Sequence, residues 1–235
     1  MDGGEFLRKD RLSEMKKMLV LEQKVSIKQL ATMLNVSEIT VRRDFQAIQQ
    51  EMGLLLDRGI ITFVNNDPPF DSRVQLNIDG KKKIAEVALT RIKPGDVIAL
   101  DIGSTTLELA KLMAVFSKDI MVFTSSIPIA QILAKNENIE VYIVPGVVRK
   151  NELSVCGALA HEFINKFNFN IFFMSAAAYQ DEFFYEFVIE EAEVKKTFIN
   201  RSKSTITLID KTKIGKRSLI EVCSAKQVLE IISDI

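Results

Sequence analysis

Two stretches of this sequence carry residue types and spacings suited to holding an anion. The first is Ser37-Glu38-Ile39-Thr40-Val41-Arg42-Arg43, where two adjacent guanidinium groups share a short segment with two hydroxyls. Such groups bond phosphate oxygens, and arginine can also meet guanine with two parallel hydrogen bonds in the major groove of DNA. The second is Asp101-Ile102-Gly103-Ser104-Thr105-Thr106, which turns out of an apolar run and into a helical pattern. At a helix start the free backbone N–H groups and the positive end of the dipole favour negative charge, and hydroxyls add donors. Thr124-Ser125-Ser126 and Asp210-Lys211-Thr212-Lys213 also close apolar runs. A lysine from the last of these facing the hydroxyls of the Gly-Ser-Thr-Thr turn would make a phosphate pocket. Each stretch has a plainer reading too: exposed arginines usually sit on solvated helix faces, and Ser and Thr cap helices whether or not anything binds.

The elements around the arginine pair favour DNA. Leu12, Met15 and Leu19 form one apolar stripe of a first helix. Ser26 and Gln29 fit a capping box opening a second, whose Ile27, Leu30, Ala31 and Leu34 face inward. Ser37 is the expected N-cap of a third, with Val36 and Val41 placed as a hydrophobic staple and Val41, Phe45 and Ile48 on the buried side. Glu38, Thr40, Arg42, Arg43 and Gln46 lie away from that side. Only Leu34-Asn35-Val36-Ser37 separates the second and third helices, the short connection of a helix-turn-helix. Beyond Gly53, the run from Leu54 to Val64 reads as a hairpin around Asp57-Arg58-Gly59, a wing with Arg58 at its tip.

From Lys83 onward the pattern changes. Short β-branched runs at Val97–Asp101, Ile120–Thr124, Ile139–Val144, Ile171–Ser175, Thr205–Asp210 and Val228–Ile232 predict strands, and Leu107–Met113 and Ile129–Ala134 have helical spacing. Such alternation implies an α/β domain with an open, mainly parallel sheet, whose ligands collect at the carboxyl ends of strands. Asn65-Asn66-Asp67-Pro68-Pro69 interrupts the periodicity. The expected organisation is a winged helix-turn-helix over 1–66, a linker over 67–80 and an effector-binding domain over 81–235. Glu190-Glu191-Ala192-Glu193-Val194-Lys195-Lys196 reads as a helix start with an acidic first turn. The aromatic run Asp181–Phe187 is expected to pack internally or make a dimer contact.

Composition limits the alternatives. Lys plus Arg and Asp plus Glu both number 31, so any attraction to DNA must come from local clusters. No apolar run reaches the length of a membrane span and the acidic N-terminus lacks a signal-peptide pattern, so the expectation is a cytoplasmic protein with no membrane partner. Cys156 and Cys223 lie far apart in apolar surroundings and are expected to be buried packing residues. The single histidine, His161, has no ligand set around it and reads as a helix-surface residue; zinc chemistry and His-based hydrolysis are poorly supported, and no cofactor is expected.

The run Val36-Ser37-Glu38-Ile39-Thr40-Val41-Arg42-Arg43-Asp44-Phe45 resembles the helix-turn-helix signature of the DeoR family of bacterial regulators, and Leu56-Asp57-Arg58 stands where that family's wing has Leu-x-Arg. The resemblance implies that Ser37, Glu38, Thr40, Arg42 and Arg43 form the DNA face, with Arg58 at the wing. Gly59-Ile60-Ile61 departs from the family's usual His-Gly-Gly. The second part is similar to the same family's sensor domain, whose fold is like ribose-5-phosphate isomerase. The matches run through Lys81, Pro94-Gly95-Asp96, Asp101-x-Gly-Ser-Thr-Thr, Thr124-x-Ser, Gly146, Arg149, Gly157, Glu191-Ala-x-Val-Lys195 and Asp210-x-x-Lys213. They imply a sugar-phosphate site lined by Asp101, Gly103, Ser104, Thr105, Thr106, Thr124, Ser125, Lys195, Asp210 and Lys213. Ser175-Ala176-Ala177-Ala178 stands where the family commonly has Gly-Ala-Asp-Gly, so an acidic group is absent and the pocket is altered. Relatives continue past Ser233-Asp234-Ile235, which implies a missing final element.

Three functions compete. The first is a DNA-binding transcriptional regulator, a repressor of carbohydrate genes controlled by a phosphorylated sugar and binding double-stranded operator DNA as a homodimer or higher oligomer. The second is an isomerase of sugar phosphates, which needs a carboxylate general base and has no use for a DNA-binding unit. The third is a DNA-binding protein whose degenerate sensor serves only oligomerisation.

Overall fold

In the computed structural model, which describes residues 3–63, 68–115 and 119–235, the chain divides into one unit ending at Leu76 and another running from Asn77 to Ile235. The first holds α1 (Gly3–Glu22), β1 (Lys24–Ser26), α2 (Ile27–Met33), α3 (Glu38–Ile48), β2 (Leu54–Asp57), β3 (Ile60–Phe63) and α4 (Phe70–Val74). Local chemistry places the helices. The Ser26 side chain accepts from the Gln29 amide at 3.1 Å while the Gln29 side chain accepts from the Ser26 amide at 2.9 Å, closing the expected capping box. Met15 and Leu19, Ile27 and Leu30, and Val41, Phe45 and Ile48 meet in one core with Leu54, Ile61 and Phe63 of the hairpin.

The wing forms around Arg58-Gly59. Both residues have positive φ, +46° and +82°, and Asp57 faces Ile60 across them, the geometry of a type I′ turn that matches strand twist. A third strand escapes sequence reading: β1 pairs with β3, Val25 opposite Ile61, in a segment too short to show alternation. The Ile27 amide donates to the Gly59 carbonyl at 2.9 Å, fastening the wing turn to the first residue of α2.

Asp44 is the one charged residue on the core side of α3, and it is fully buried. The Arg11 guanidinium of α1 donates to its two oxygens at 2.6 and 3.3 Å, and Arg8 lies 3.7 Å away. The hydrogen bond to Asp44 holds Arg11 above its ordinary range, against partial burial. Of the expected linker, Asp67 and the preceding Val64, Asn65 and Asn66 lie outside the described residues; from Phe70 the chain forms α4 and then the first turn of α5 (Ile78–Leu89).

The second unit continues with β4 (Val97–Leu100), α6 (Ser104–Met113), β5 (Ile120–Thr124), α7 (Ile127–Leu133), β6 (Ile139–Ile143), β7 (Val147–Arg149), β8 (Ser154–Cys156), α8 (Ala158–Ile164), β9 (Phe169–Ser175), β10 (Ala178–Gln180), β11 (Phe183–Glu186), α9 (Ile189–Arg201), β12 (Ser202–Leu208), β13 (Ile220–Ser224) and β14 (Glu230–Ile232). Six strands make one parallel sheet in the order β14-β12-β9-β4-β5-β6. The chain winds outward from β4 to β6 on one side and from β9 to β14 on the other, so the direction of winding reverses between β4 and β9. A crevice opens at the carboxyl ends of strands at such a reversal. Ile98, Ala99, Leu100, Val122, Phe172 and Phe173 are all buried, as in strands covered on both faces.

The aromatic run resolves as packing. Phe184, Tyr185 and Phe187 are buried, Phe184 lies against Tyr179 with ring centroids 4.7 Å apart, and β11 is the middle strand of an antiparallel sheet β10-β11-β13. Both cysteines are buried, and burial pushes the Cys223 thiol up to about 12. His161 is half-buried on α8, with Nδ1 2.7 Å from the Thr197 hydroxyl.

The Asp44 clamp is the polar tie between α1 and α3 and generates a stability prediction. Asp44→Ala removes charge-assisted bonds from a buried site and should destabilise the N-terminal unit by about 1.5–3 kcal/mol, read as a shifted urea midpoint for that unit.

Candidate functional site

On α3 the buried residues Val41, Asp44, Phe45 and Ile48 fall at i, i+3, i+4 and i+7. The opposite stripe, at the same spacing, is Ile39, Arg42, Arg43 and Gln46, and all four are exposed. Ser37 caps the helix: its hydroxyl accepts from the Thr40 amide at 3.2 Å and lies 3.0 Å from the Thr40 hydroxyl. Both hydroxyls therefore shape the helix start. Glu38 is exposed in the first turn, where its charge suits the dipole. Arg58 is exposed at the wing tip. Among the described residues no acidic side chain pairs with Arg42, Arg43 or Arg58, so these cations face solvent unneutralised. Ile39 was not singled out by sequence reading, because an isoleucine beside Thr40 and Val41 looks like part of the core.

In the second unit the expected residues gather along one edge of the parallel sheet. Asp101 follows β4, Thr124 ends β5, Ser175 ends β9 and Asp210 follows β12, four adjacent strands. Gly103 carries φ +128° and turns the chain into α6; a Cβ there would lie 2.6 Å from the Ser175 hydroxyl. Ser104, Thr105 and Thr106 are buried, and Thr106 donates to the Gly103 carbonyl at 3.0 Å. Among the described residues the Ser104 and Thr105 hydroxyls have no partner. Thr124 accepts from the Ser126 amide at 3.1 Å, Ser126 caps α7, and the Ser125 carbonyl accepts from Val155 at 2.7 Å.

Lys195, from α9, is buried beneath this edge. Its ammonium donates to Asp101, to the Ser175 carbonyl at 3.2 Å, and pairs with Glu186 at 3.2 Å. Three acceptors match the three N–H bonds of a lysine, so Lys195 is engaged with protein and positions Asp101. Burial acts to lower the Lys195 pKa, but Asp101 and Glu186 outweigh it and hold the ammonium above its ordinary range. Asp101 also accepts from the Ser175 amide at 2.8 Å, and burial pushes its carboxyl up against the pull of Lys195. Beside this cluster Glu191 meets Arg149 and accepts from Ser154 at 2.7 Å; burial and the neighbouring Glu186 push it up.

Asp210 accepts from the Thr212 amide at 3.1 Å through one oxygen, while its other, buried oxygen has no hydrogen-bond partner among the described residues. Burial works against its charge, yet Lys213, Thr212 and Lys81 hold its carboxyl below the usual range. Lys213 donates to the Ala176 carbonyl at 2.9 Å, and Lys81 is buried on α5. Asp234 accepts from the Lys211 amide at 2.7 Å and from Asn77 at 2.9 Å, tying this loop to the start of α5. Sequence reading missed Glu186. Ala177, which stands where the resembled family has an acid, is buried, and a second carboxylate reaches Lys195 from β11, hidden in the sequence among Phe184, Tyr185 and Phe187.

A family model described as DeoR-like helix-turn-helix domain matches residues 11–61, and one described as DeoR C terminal sensor domain matches residues 76–235. A putative sgc region transcriptional regulator of Escherichia coli (strain K12) is 34% identical, covering 97% of this chain and 89% of its own. A lactose phosphotransferase system repressor of Staphylococcus epidermidis is 26% identical over 96% of this chain and 91% of its own. Among solved structures, eIF2B delta from Chaetomium thermophilum matches with a TM-score of 0.52 at 14% identity, covering 86% of this chain and 65% of that one, a likeness of fold alone.

The close approach of Gly103 to Ser175 sets the shape of the pocket edge. Gly103→Ala combines a strained φ with a steric clash and should destabilise the second unit by about 1–3 kcal/mol in thermal or urea unfolding. Adding Ser175→Ala removes the 2.6 Å contact but leaves the residue 175 Cβ at 3.2 Å and the backbone strain, so the double variant should recover only part of the loss.

Proposed function

Since the chain belongs to the DeoR family of transcriptional regulators, we propose that it represses carbohydrate genes and is controlled by a phosphorylated sugar held at the carboxyl edge of its parallel sheet. One observation carries the effector reading. Two buried hydroxyls at the start of α6 lack an acceptor, and a buried carboxylate oxygen of Asp210 lacks a donor. Leaving such groups unsatisfied is costly, and a ligand with anionic oxygens at one end and hydroxyls along its length answers both needs. β4 and β12 are separated by one strand, so the two groups lie about two strand spacings, or about 10 Å, apart. That span suits a small polar molecule. Lys213 and Lys81 bring positive charge to the same edge. A relative named for a lactose phosphotransferase system points to the same ligand class.

The isomerase reading has less behind it. Asp101 and Glu186 are both engaged with Lys195, which leaves neither of them poised as a general base, and Asp210, held below the usual carboxylate range, is a weak one. The role supported is binding in the cytoplasm, with Asp101, Gly103, Ser104, Thr105, Thr106, Thr124, Ser125, Asp210 and Lys213 shaping the pocket and Lys195 holding Asp101. Ser37 and Thr40 set the start of the recognition helix; Arg42, Arg43 and Arg58 supply charge to operator phosphates and bases. A single such unit reads a short half-site, so the working form is a homodimer or higher oligomer on paired half-sites.

Two experiments test this reading. Arg42→Ala with Arg43→Ala should weaken binding to operator DNA by about 1–3 kcal/mol for each arginine and flatten its salt dependence, read by fluorescence anisotropy at several salt concentrations. Thr105→Asp puts a carboxylate where the phosphate would sit. It should abolish the thermal shift produced by sugar phosphates in the parent protein and the effector's influence on DNA binding, with DNA affinity in the absence of effector kept. A Thr105→Asp protein that responds like its parent places the phosphate elsewhere.

A further inference from the structure

We propose that Ile39 is a specificity-determining residue that reads the C5-methyl group of a thymine in the operator. Ile39 is 81% exposed at the second residue of α3, which makes it one of the most exposed large apolar side chains among the described residues. It contributes nothing to the core, which is completed by Val41, Phe45 and Ile48 on the opposite side. It heads the outward stripe and is the only apolar member, with Arg42 and Arg43 one turn further on and Gln46 beyond them. A single exposed apolar residue is ordinary on a protein surface. One standing at the head of a basic stripe, in the helix turn that reaches furthest into a groove, is not placed at random.

The chemistry of the groove selects the partner. Side chains on the first turns of a recognition helix are those that reach base edges. In the major groove thymine alone among the four bases presents a methyl group, and an apolar side chain is its natural contact. Helical side chains lean toward the helix N-terminus, so Ile39 covers the tip formed by Ser37 and Glu38. The branch at Cβ leaves Ile39 few rotamers, so docking it against a methyl group costs little side-chain freedom. The Ser37 cap, bonded to the Thr40 amide, fixes the backbone that presents it. Arginines take phosphate or guanine, and the isoleucine adds a shape contact that distinguishes thymine from cytosine at a neighbouring position.

The inference rests on the DNA-binding role of α3, which the Arg42 and Arg43 variants test separately. The experiment selects duplexes from a randomised DNA library with the full-length protein and then replaces each selected thymine in turn by uracil, which removes the methyl and keeps every hydrogen-bonding group. The parent should lose about fourfold in affinity at one thymine of each half-site, the effect of withdrawing one methyl-sized contact. Ile39→Ala should be insensitive to that same replacement, accept cytosine there, and unfold at the parent's temperature. The proposal is overturned if uracil is tolerated at every position, or if Ile39→Ala selects the parent's sequence and keeps its sensitivity to uracil. It is overturned equally if Ile39→Ala alters only the oligomeric state in light scattering, which would make the side chain a subunit contact.

Discussion

The second unit is organised around one buried ammonium. Lys195 holds Asp101, which follows β4, the Ser175 carbonyl at the end of β9 and Glu186 of β11, at the point where the winding of the sheet reverses. Removing one partner from a buried pair typically costs about 3–5 kcal/mol because the other charge is stranded, so these residues are mutually dependent. Asp101 is aligned by Lys195 and by the Ser175 amide, and Ser175 in turn packs against Gly103, which opens the turn into α6. The shape of the turn into α6 is therefore set from beneath, by groups that face protein. The two hydroxyls left unsatisfied at the start of α6 can then serve a ligand without being needed to hold the loop.

Much of this architecture was legible from local pattern. The strand of residues 120–124 is found at its expected limits, and β4 and β6 fall within a residue of theirs, because buried parallel strands read as continuous apolar runs bounded by turn residues. The Ser26–Gln29 capping box, the Ser37 cap and the wing rest on contacts within a few residues, and these too were visible. What escaped depended on distant partners. β1 becomes a strand only because β3 lies beside it, and the β7–β8 ribbon is built from three-residue segments with no periodicity to detect.

The same distinction applies to the sites. Arg42, Arg43, Ser104 and Thr105 announce themselves by type and by position at helix starts. Asp44 reads in sequence as one more charge in a helix that carries two of each sign, whereas its burial beneath Arg11 makes it a fastening of that helix. Glu186 lies in an aromatic strand, and its link to Lys195 appears only when β11 folds against α9. Lys195 was recognised by its place in a motif, and only the fold shows that its ammonium meets Asp101, Glu186 and the Ser175 carbonyl. Residue type picked out the candidates, and burial shows which of them face protein and which face solvent.

Arg58 occupies a backbone conformation that glycine or asparagine adopts at less cost, at the first central position of the wing turn. Evolution toward higher melting temperature, applied without regard to DNA, would thus drive this position to Asn or Gly. The folded state would gain and the wing would lose its cation. If Arg58 meets DNA as proposed, the most heat-resistant wing and the most tightly binding wing are different sequences, and the arginine marks a standing compromise between them.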